Sequence, residues 1–376
     1  MKTNPADLFI AIDIGAGLGV KIGLFKDPHH QIDQTLLSAD EAGDEFTIFS
    51  TRVLETTESL LKQHGRSMSE ARSIGIAAPG LFRHDGAFLL AANLPFLNDH
   101  NLKQWIAEQT GLPTAIENDA NVGGLAEWSV MRVDLLYWVF GGGWGGAWIH
   151  HDGEVMYPAL DWNQQDDSLH YTNEPGYSIP LSKLALKPLF YQFGASFDRF
   201  EQIVADDMDV EGGQLTGPSG NPDTVRAEVI LSGPGRCRLF RAVVGDDDFY
   251  ERFLDIKQTK SMSDPSIAGA YISQLSEMRV ESALNTDRLF GHVLAMATQT
   301  MFKAARKDGL RDGLPICLGG KPSYALPYFG PTAQRRMGAL GVMSYMRPSV
   351  IDERGFNANL VGAAVLAQKA LATSIS

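Results

Sequence analysis

The chain opens on an apolar strand that runs into glycines and comes straight out again as a second strand. "LFIAIDIG" (8–15) is rich in Ile, carries one acid, Asp13, and ends at glycine, so it reads as a buried strand. The turn "GAGLG" (15–19) leads into "VKIGLFKD" (20–27), which continues as strand and not as helix. A dinucleotide-binding turn needs glycine where Val20 stands and a helix after it, so that fold is excluded. What remains is a β-hairpin with Asp13 at its mouth. An acid that ends an apolar strand just before glycines is costly without a role, which makes Asp13 a candidate functional residue. Lys21, on the outgoing strand, reads as a solvated edge residue rather than a phosphate ligand.

The elements that follow are those of an α/β domain. Phe46, Phe49, Val53, Leu54, Leu60 and Leu61 recur at helical spacing within 45–66. "SIGIAAPG" (73–80) is a strand closed by a Pro-Gly turn, "LKQWIAEQTG" (102–111) a helix closed by glycine, and "LPTAIEND" (112–119) another strand. This order predicts a first domain over 1–132, completed by a C-terminal helix within 350–376. A second, larger domain is expected over 133–349. It opens with "VDLLYWVFGGGWGGAWIHHDGEV" (133–155), again strand, glycine turn, strand. Residues 276–306 read as helix, "LPICLGG" (314–320) as a strand running into glycines, and 359–372 as helix. The stretch 156–275 is the least legible.

At the end of the strand 112–119 an amide and a carboxylate stand side by side in "ENDAN" (117–121). Asn or Asp before a helical run caps it. The sharper reading makes Asp119 a catalytic base with Asn118 holding substrate beside it. Composition narrows the field. The 376 residues carry a net charge of −13, which disfavours nucleic acid and anionic membrane as partners. Two distant cysteines, Cys237 and Cys317, exclude a disulfide framework and a Cys-rich zinc site. The apolar run 135–149 is too short for a membrane span and is broken by five glycines. No leader segment is evident, and a cytoplasmic location is the expectation.

Asp13 with its glycine turn, Asn118-Asp119, the loop Gly141 to Gly146, and Gly319-Gly320 then stand in order along the chain. Glycine turns between strands let backbone N–H groups approach phosphate oxygens. An acid beside such a turn holds Mg²⁺ through water. A further Asp accepts the proton of an attacking hydroxyl, as phosphoryl transfer to an alcohol requires. The spacing of these motifs resembles the ROK family (repressors, uncharacterised reading frames and sugar kinases) of the actin, hexokinase and Hsp70-like ATPase superfamily. Its D-I-G-G-T is matched by "DIGAG" (13–17), its G-I-G-x-P-G by "GIAAPG" (75–80), and its N-L-P by "ANLPFL" (92–97). Its E-N-D-A-N is matched by "ENDAN" (117–121), and its second phosphate loop by "FGGGWGGA" (140–147). "CLGGKPS" (317–323) resembles the adenosine-side motif, and "LVGAAVLA" (360–367) the C-terminal helix.

The resemblance implies an α/β, two-domain actin-like ATPase (ribonuclease H-like) fold with a central cleft. It implies a kinase that uses ATP and Mg²⁺ to phosphorylate a hexose or amino-sugar hydroxyl. Asp119 would be the general base, with Asn118 and Asn93 hydrogen-bonding the sugar ring. Asp13 would organise the Mg²⁺, through water. Gly15 and Gly17 with Gly141, Gly142 and Gly143 would cradle phosphates, and Gly319 and Gly320 would lie beside adenosine. The family's G-E-I-G-H is closest to "NEPGYSIPL" (173–181), which puts Glu174 and Tyr177 at its sugar-contacting positions.

Departures from the pattern matter too. Tyr177 replaces the family's zinc-binding His and the C-x-C-G-x-x-G-C cluster is absent, which implies a zinc-free branch. Glycine stands at Gly17 and Gly142 where the family has Thr, and each lost hydroxyl bond is worth on the order of 1.5–3 kcal/mol. A weak or inactive sugar-binding sensor is therefore the first rival, and a phosphotransferase with a non-sugar acceptor the second. A DNA-binding repressor is disfavoured, since only seven residues precede Leu8. A homodimer is left open. His150 and His151, as neighbours on a strand, are expected to point to opposite faces and so not to share a metal. Trp144 is open between packing on nucleotide and covering the hinge.

Overall fold

The computed structural model of the chain describes residues 8–15, 19–83, 85–157, 174–208, 216–217, 220–245 and 265–375. Contacts divide it into two units. The first is Met1–Asp134 with Ile149–Val155 and Val350–Ser376, and the second is Leu135–Trp148 with Met156–Ser349. The expected continuous second domain over 133–349 is thus interrupted, because 149–155 belongs with the first unit.

In the first unit the hairpin is β1 (Phe9–Gly15) and β2 (Gly19–Asp27), paired antiparallel with Asp13 opposite Lys21. Gly19 has φ +83, and a side chain there would run into the Leu37 carbonyl. A third antiparallel strand, β3 (His30–Leu37), lies outside β2 and was not foreseen. Its side chains alternate exposed and half-buried, so its polar sequence carries no apolar run to detect. On the other side β4 (Ser73–Ala78) and β5 (Thr114–Asn118) add in parallel, giving the order β3-β2-β1-β4-β5. Helices α1 (Phe46–Gln63) and α2 (Leu102–Thr110) bury Phe49, Val53, Leu60, Leu61, Leu102 and Ile106 in the core against the strands. Gly111 closes α2 in the left-handed conformation at φ 68.

Helix α3 (Asp119–Met131) follows β5 directly and is buried from Ala120 through Ser129. A helix apolar on every face must be covered on every face. The C-terminal helix Ala358–Ile375 does part of this, packing against β4 as well as α3. Close approach is possible because Gly75 and Gly362 lack side chains. A Cβ on either would overlap a carbonyl oxygen, of Ala363 and Val122 respectively. Glu127, fully buried in α3, accepts the backbone N–H groups of Val350 (3.0 Å) and Ile351 (3.2 Å) and so anchors the returning chain.

In the second unit β6 (Leu135–Phe140) and β7 (Trp144–Ile149) flank the glycine turn. The sheet runs β9-β8-β6-β7, where β8 is Pro315–Gly319 and β9 is Tyr345–Pro348, both parallel with β6 as a set. Its core gathers Trp138, Phe140, Trp144, Phe290 and Phe329. Trp144 is 1% exposed and packs on Phe140 and Trp138, so it is a core residue and neither of the surface alternatives holds. The helix expected over 276–306 is present as Glu281–Ala305, while 276–277 end a separate helix, Pro265–Glu277, with Arg279 at φ 60 between the two.

His150 and His151 also depart from expectation. β7 ends at Ile149, both histidines lie in the turn that follows, and their rings are 3.9 Å apart between centroids. The alternation of a strand no longer applies to them.

Candidate active site

Asn118 and Asp119 sit where β5 turns into α3, and the amide caps that helix. Asn118 is the N-cap. Its Oδ1 accepts the N–H groups of Ala120 (3.0 Å) and Asn121 (3.4 Å), and its Nδ2 donates to the Gly80 carbonyl (3.1 Å). One amide N–H is left over for a ligand. The cap fixes Asp119 as the first residue of the helix, with its Oδ1 accepting the Ala120 N–H at 2.8 Å. Glu117 adds support, accepting the Asn118 N–H (2.7 Å) and the Asn121 side-chain amide (3.0 Å).

The Asp119 carboxyl is withdrawn from water, although part of the residue reaches the surface. Burial pushes its pKa up from 3.8 to about 6, the Ala120 N–H pulls the other way, and the negative charge of Asp13 adds to the rise. Asp13 and Asp119 are therefore electrostatic neighbours. Asp13 itself is 3% exposed. Its Oδ2 pairs with Lys21 Nζ at 3.0 Å and its Oδ1 accepts from Asn359 Nδ2 at 2.9 Å. Lys21 is thus no edge residue, because β2 lies inside the sheet and register puts the ammonium across from the acid. Asn359, just inside the C-terminal helix, was missed. Its signal would have been its place immediately before "LVGAAVLA".

Other expected residues of the first unit are Gly15, which ends β1, and Asn93, exposed on a turn with no side-chain hydrogen bond among the described residues. Gly17 lies outside the described residues. In the second unit Gly141 and Gly143 close the turn through Gly141 N–H to the Gly143 carbonyl at 3.0 Å. A Cβ on Gly141 or Gly142 would meet nothing within 4 Å among the described residues, so there is open space on that side of the turn. Gly143 is different, since a Cβ there would come within 2.9 Å of Glu228 Oε2. Burial raises the pKa of Glu228, and no motif in the sequence points to that residue. Glu174 is the N-cap of the short helix Pro175–Ser178 and Tyr177 lies within it, with Arg226 stacked 3.8 Å over the Tyr177 ring. Gly319 and Gly320 are required by packing. A side chain on the first would strike Tyr137, and one on the second, at φ +81, the Phe140 carbonyl.

Residues 9–156 match the family described as ROK family. Relatives include a glucokinase of Halalkalibacterium halodurans, 26% identical over 40% of this chain and 46% of its own length. A beta-glucoside kinase of Listeria monocytogenes is 33% identical over 39% of this chain and 47% of its own. The chain thus spans just under half the length of these curated relatives. The structure of a ROK family glucokinase from Streptomyces griseus in complex with glucose and AMPPNP superimposes with TM-score 0.61 at 17% identity, over 96% of this chain and 99% of the other. The family match covers residues 9–156, less than half of the chain.

At 17% identity that structural likeness is one of fold, the α/β two-domain actin-like ATPase fold. The ROK match over 9–156 takes in Asp13, Asn93, Asn118, Asp119 and Gly141 to Gly143. Glu174, Tyr177, Gly319 and Gly320 lie beyond it. Among the described residues no helix is long and apolar enough to cross a membrane.

Proposed function

We propose that this chain is a ROK-type kinase that transfers the γ-phosphoryl group of ATP to a hydroxyl of a hexose or amino sugar, with Asp119 as general base and Mg²⁺ as the metal. The observation that carries the reading is the Asp119 carboxyl, fixed by the Asn118 cap and raised to a pKa of about 6. A base works best when its pKa lies near the working pH, and an aspartate left at 3.8 would hold a proton too weakly. The sugar-kinase names of the relatives support the substrate class.

In the reaction the sugar oxygen attacks the γ-phosphorus while the bond to the bridging oxygen of ADP breaks. Asp119 takes the hydroxyl proton as that happens. Asn118, with one N–H left over, and Asn93, with its amide available, suit hydrogen bonds to the sugar ring, and Glu174 and Tyr177 are assigned to the same task. Asp13 suits a water-held Mg²⁺, because each of its oxygens keeps a lone pair after the bonds to Lys21 and Asn359. Bound there, the ion would offset charge on the phosphates. The open space beside Gly141 and Gly142 fits the approach of phosphate oxygens, as assigned also to Gly15, Gly17 and Gly143, with Gly319 and Gly320 toward adenosine.

The test is ADP release from Mg-ATP across a panel of hexoses and amino sugars, with the sugar phosphate identified by mass. Sugar-dependent release with at least one member is expected. ATP turnover that no sugar on the panel stimulates would count against the assignment.

A further inference from the structure

The turn after β7 gathers metal-ligating groups that phosphoryl transfer does not use. His150 Nε2 lies 3.8 Å and His151 Nδ1 3.5 Å from Asp134 Oδ1. One ligand atom from each of the three residues lies within 4.8 Å of the others. Donors around a tetrahedral zinc with bonds of 2.0–2.1 Å stand about 3.4 Å apart, so small ring rotations bring these three into range. On the far side of its ring, His150 Nδ1 is 3.0 Å from Asp152 Oδ1. That nitrogen is buried and has no aligned hydrogen-bond partner among the described residues. A carboxylate at this distance is placed to take the second N–H once the ring turns to meet a metal, which is how a protein orients a metal-binding imidazole.

The turn is held in place by other parts of the first unit. Asp134 Oδ1 accepts the His151 N–H at 2.7 Å, and the His151 carbonyl accepts Trp128 Nε1–H at 3.0 Å. Gly153 leaves room for the Trp128 ring, and its carbonyl accepts from Lys369 of the C-terminal helix. The two histidines are therefore carried on a backbone fixed at both ends. Both stretches of chain that supply ligands flank a crossing between the units, which come after Asp134 and before Ile149.

We propose that Asp134, His150 and His151 bind one zinc-class divalent cation, with Asp152 as positioning residue and water in the fourth place. Two imidazoles and a carboxylate select borderline ions such as Zn²⁺ or Co²⁺ over Mg²⁺. The site is separate from the His and Cys zinc site whose residues this chain lacks, and it departs from the expectation that the chain binds no zinc. Nothing here depends on the kinase assignment.

The full chain, stripped with chelator and dialysed, is titrated with zinc chloride by calorimetry and with cobalt(II) by visible absorption. One saturable equivalent is expected, with the intense cobalt bands of tetrahedral coordination and a rise in melting temperature with zinc. His150→Ala and His151→Ala should each weaken binding at least tenfold. Asp152→Asn, which keeps the turn's size and polarity, should weaken it on the order of 10–100-fold. Circular dichroism checks that the variants are folded, and ATP turnover should be unchanged in all three. Absence of a saturable equivalent, or affinity indifferent to these substitutions, would overturn the proposal.

Discussion

Replacing Asp119 with Asn should make the protein more stable at neutral pH, and the amount can be worked from the structure. The folded carboxyl has a pKa of about 6 against 3.8 unfolded, a difference of about 2.2 units. Because the folded value is raised, the fold favours the protonated form. Its contribution to stability is full below 3.8 and is lost as pH rises through about 6. At pH 7.5 the native state therefore holds a charge it disfavours by about 3 kcal/mol at 1.36 kcal/mol per unit. Partial contact of the residue with water lowers this to roughly 1.5–3 kcal/mol. Asparagine carries no charge and keeps an oxygen for the Ala120 N–H. For a unit of this size the melting temperature should rise by roughly 3–12 °C at pH 7.5. The gain should shrink toward zero at pH 4, where the wild-type carboxyl is itself largely neutral. Differential scanning calorimetry across pH 4–8 reads this directly. A variant that melts at or below the wild type at pH 7.5, or whose gain does not depend on pH, would refute the reasoning.

Three further outcomes are expected. Asp13→Asn removes the charge that helps raise the Asp119 pKa, so Asp119 should titrate at lower pH, read by carboxyl NMR or by the acid limb of residual activity; an unmoved or raised titration would contradict the coupling. Gly142→Thr should raise kcat by on the order of tenfold, because φ there is not left-handed and the added side chain enters open space beside the assigned phosphates. Equal melting curves with lower kcat would show that the hydroxyl does not help. Gly75→Ala should cost upward of about 3 kcal/mol by denaturant unfolding, since its methyl would collide with the Ala363 carbonyl; a change below about 1 kcal/mol would mean the C-terminal helix yields easily.

What could be read from the sequence were features whose signal is local. The hairpin around Asp13 and the step from β5 into α3 both join an apolar run to glycine or to a capping residue, and each element's chemistry is written within a dozen positions. β3 escaped because a polar strand at a sheet edge buries little and so leaves no run of apolar residues. Lys21 was misjudged because its role depends on register, which sets it opposite Asp13 across the hairpin. Asn359 and Glu228 meet their neighbours only through contacts distant in sequence, and no motif contains either of them. Trp144 shows the opposite failure. Its place in a glycine turn leaves nucleotide packing and hinge cover both open, yet packing with Phe140 and Trp138 draws it into the core. The histidine pair was judged by strand alternation one residue after the strand had ended.

The account rests on Asp119 as the group that takes the proton from a sugar hydroxyl. The most direct measurement sets turnover against sugar affinity in Asp119→Asn, with Mg-ATP saturating and the sugar chosen from the panel by wild-type activity. The amide keeps size and hydrogen-bonding reach but cannot take the proton, so kcat should fall by about 10²–10⁴ while the sugar Kd stays within threefold of wild type. A kcat within threefold of wild type in the folded variant would contradict the account.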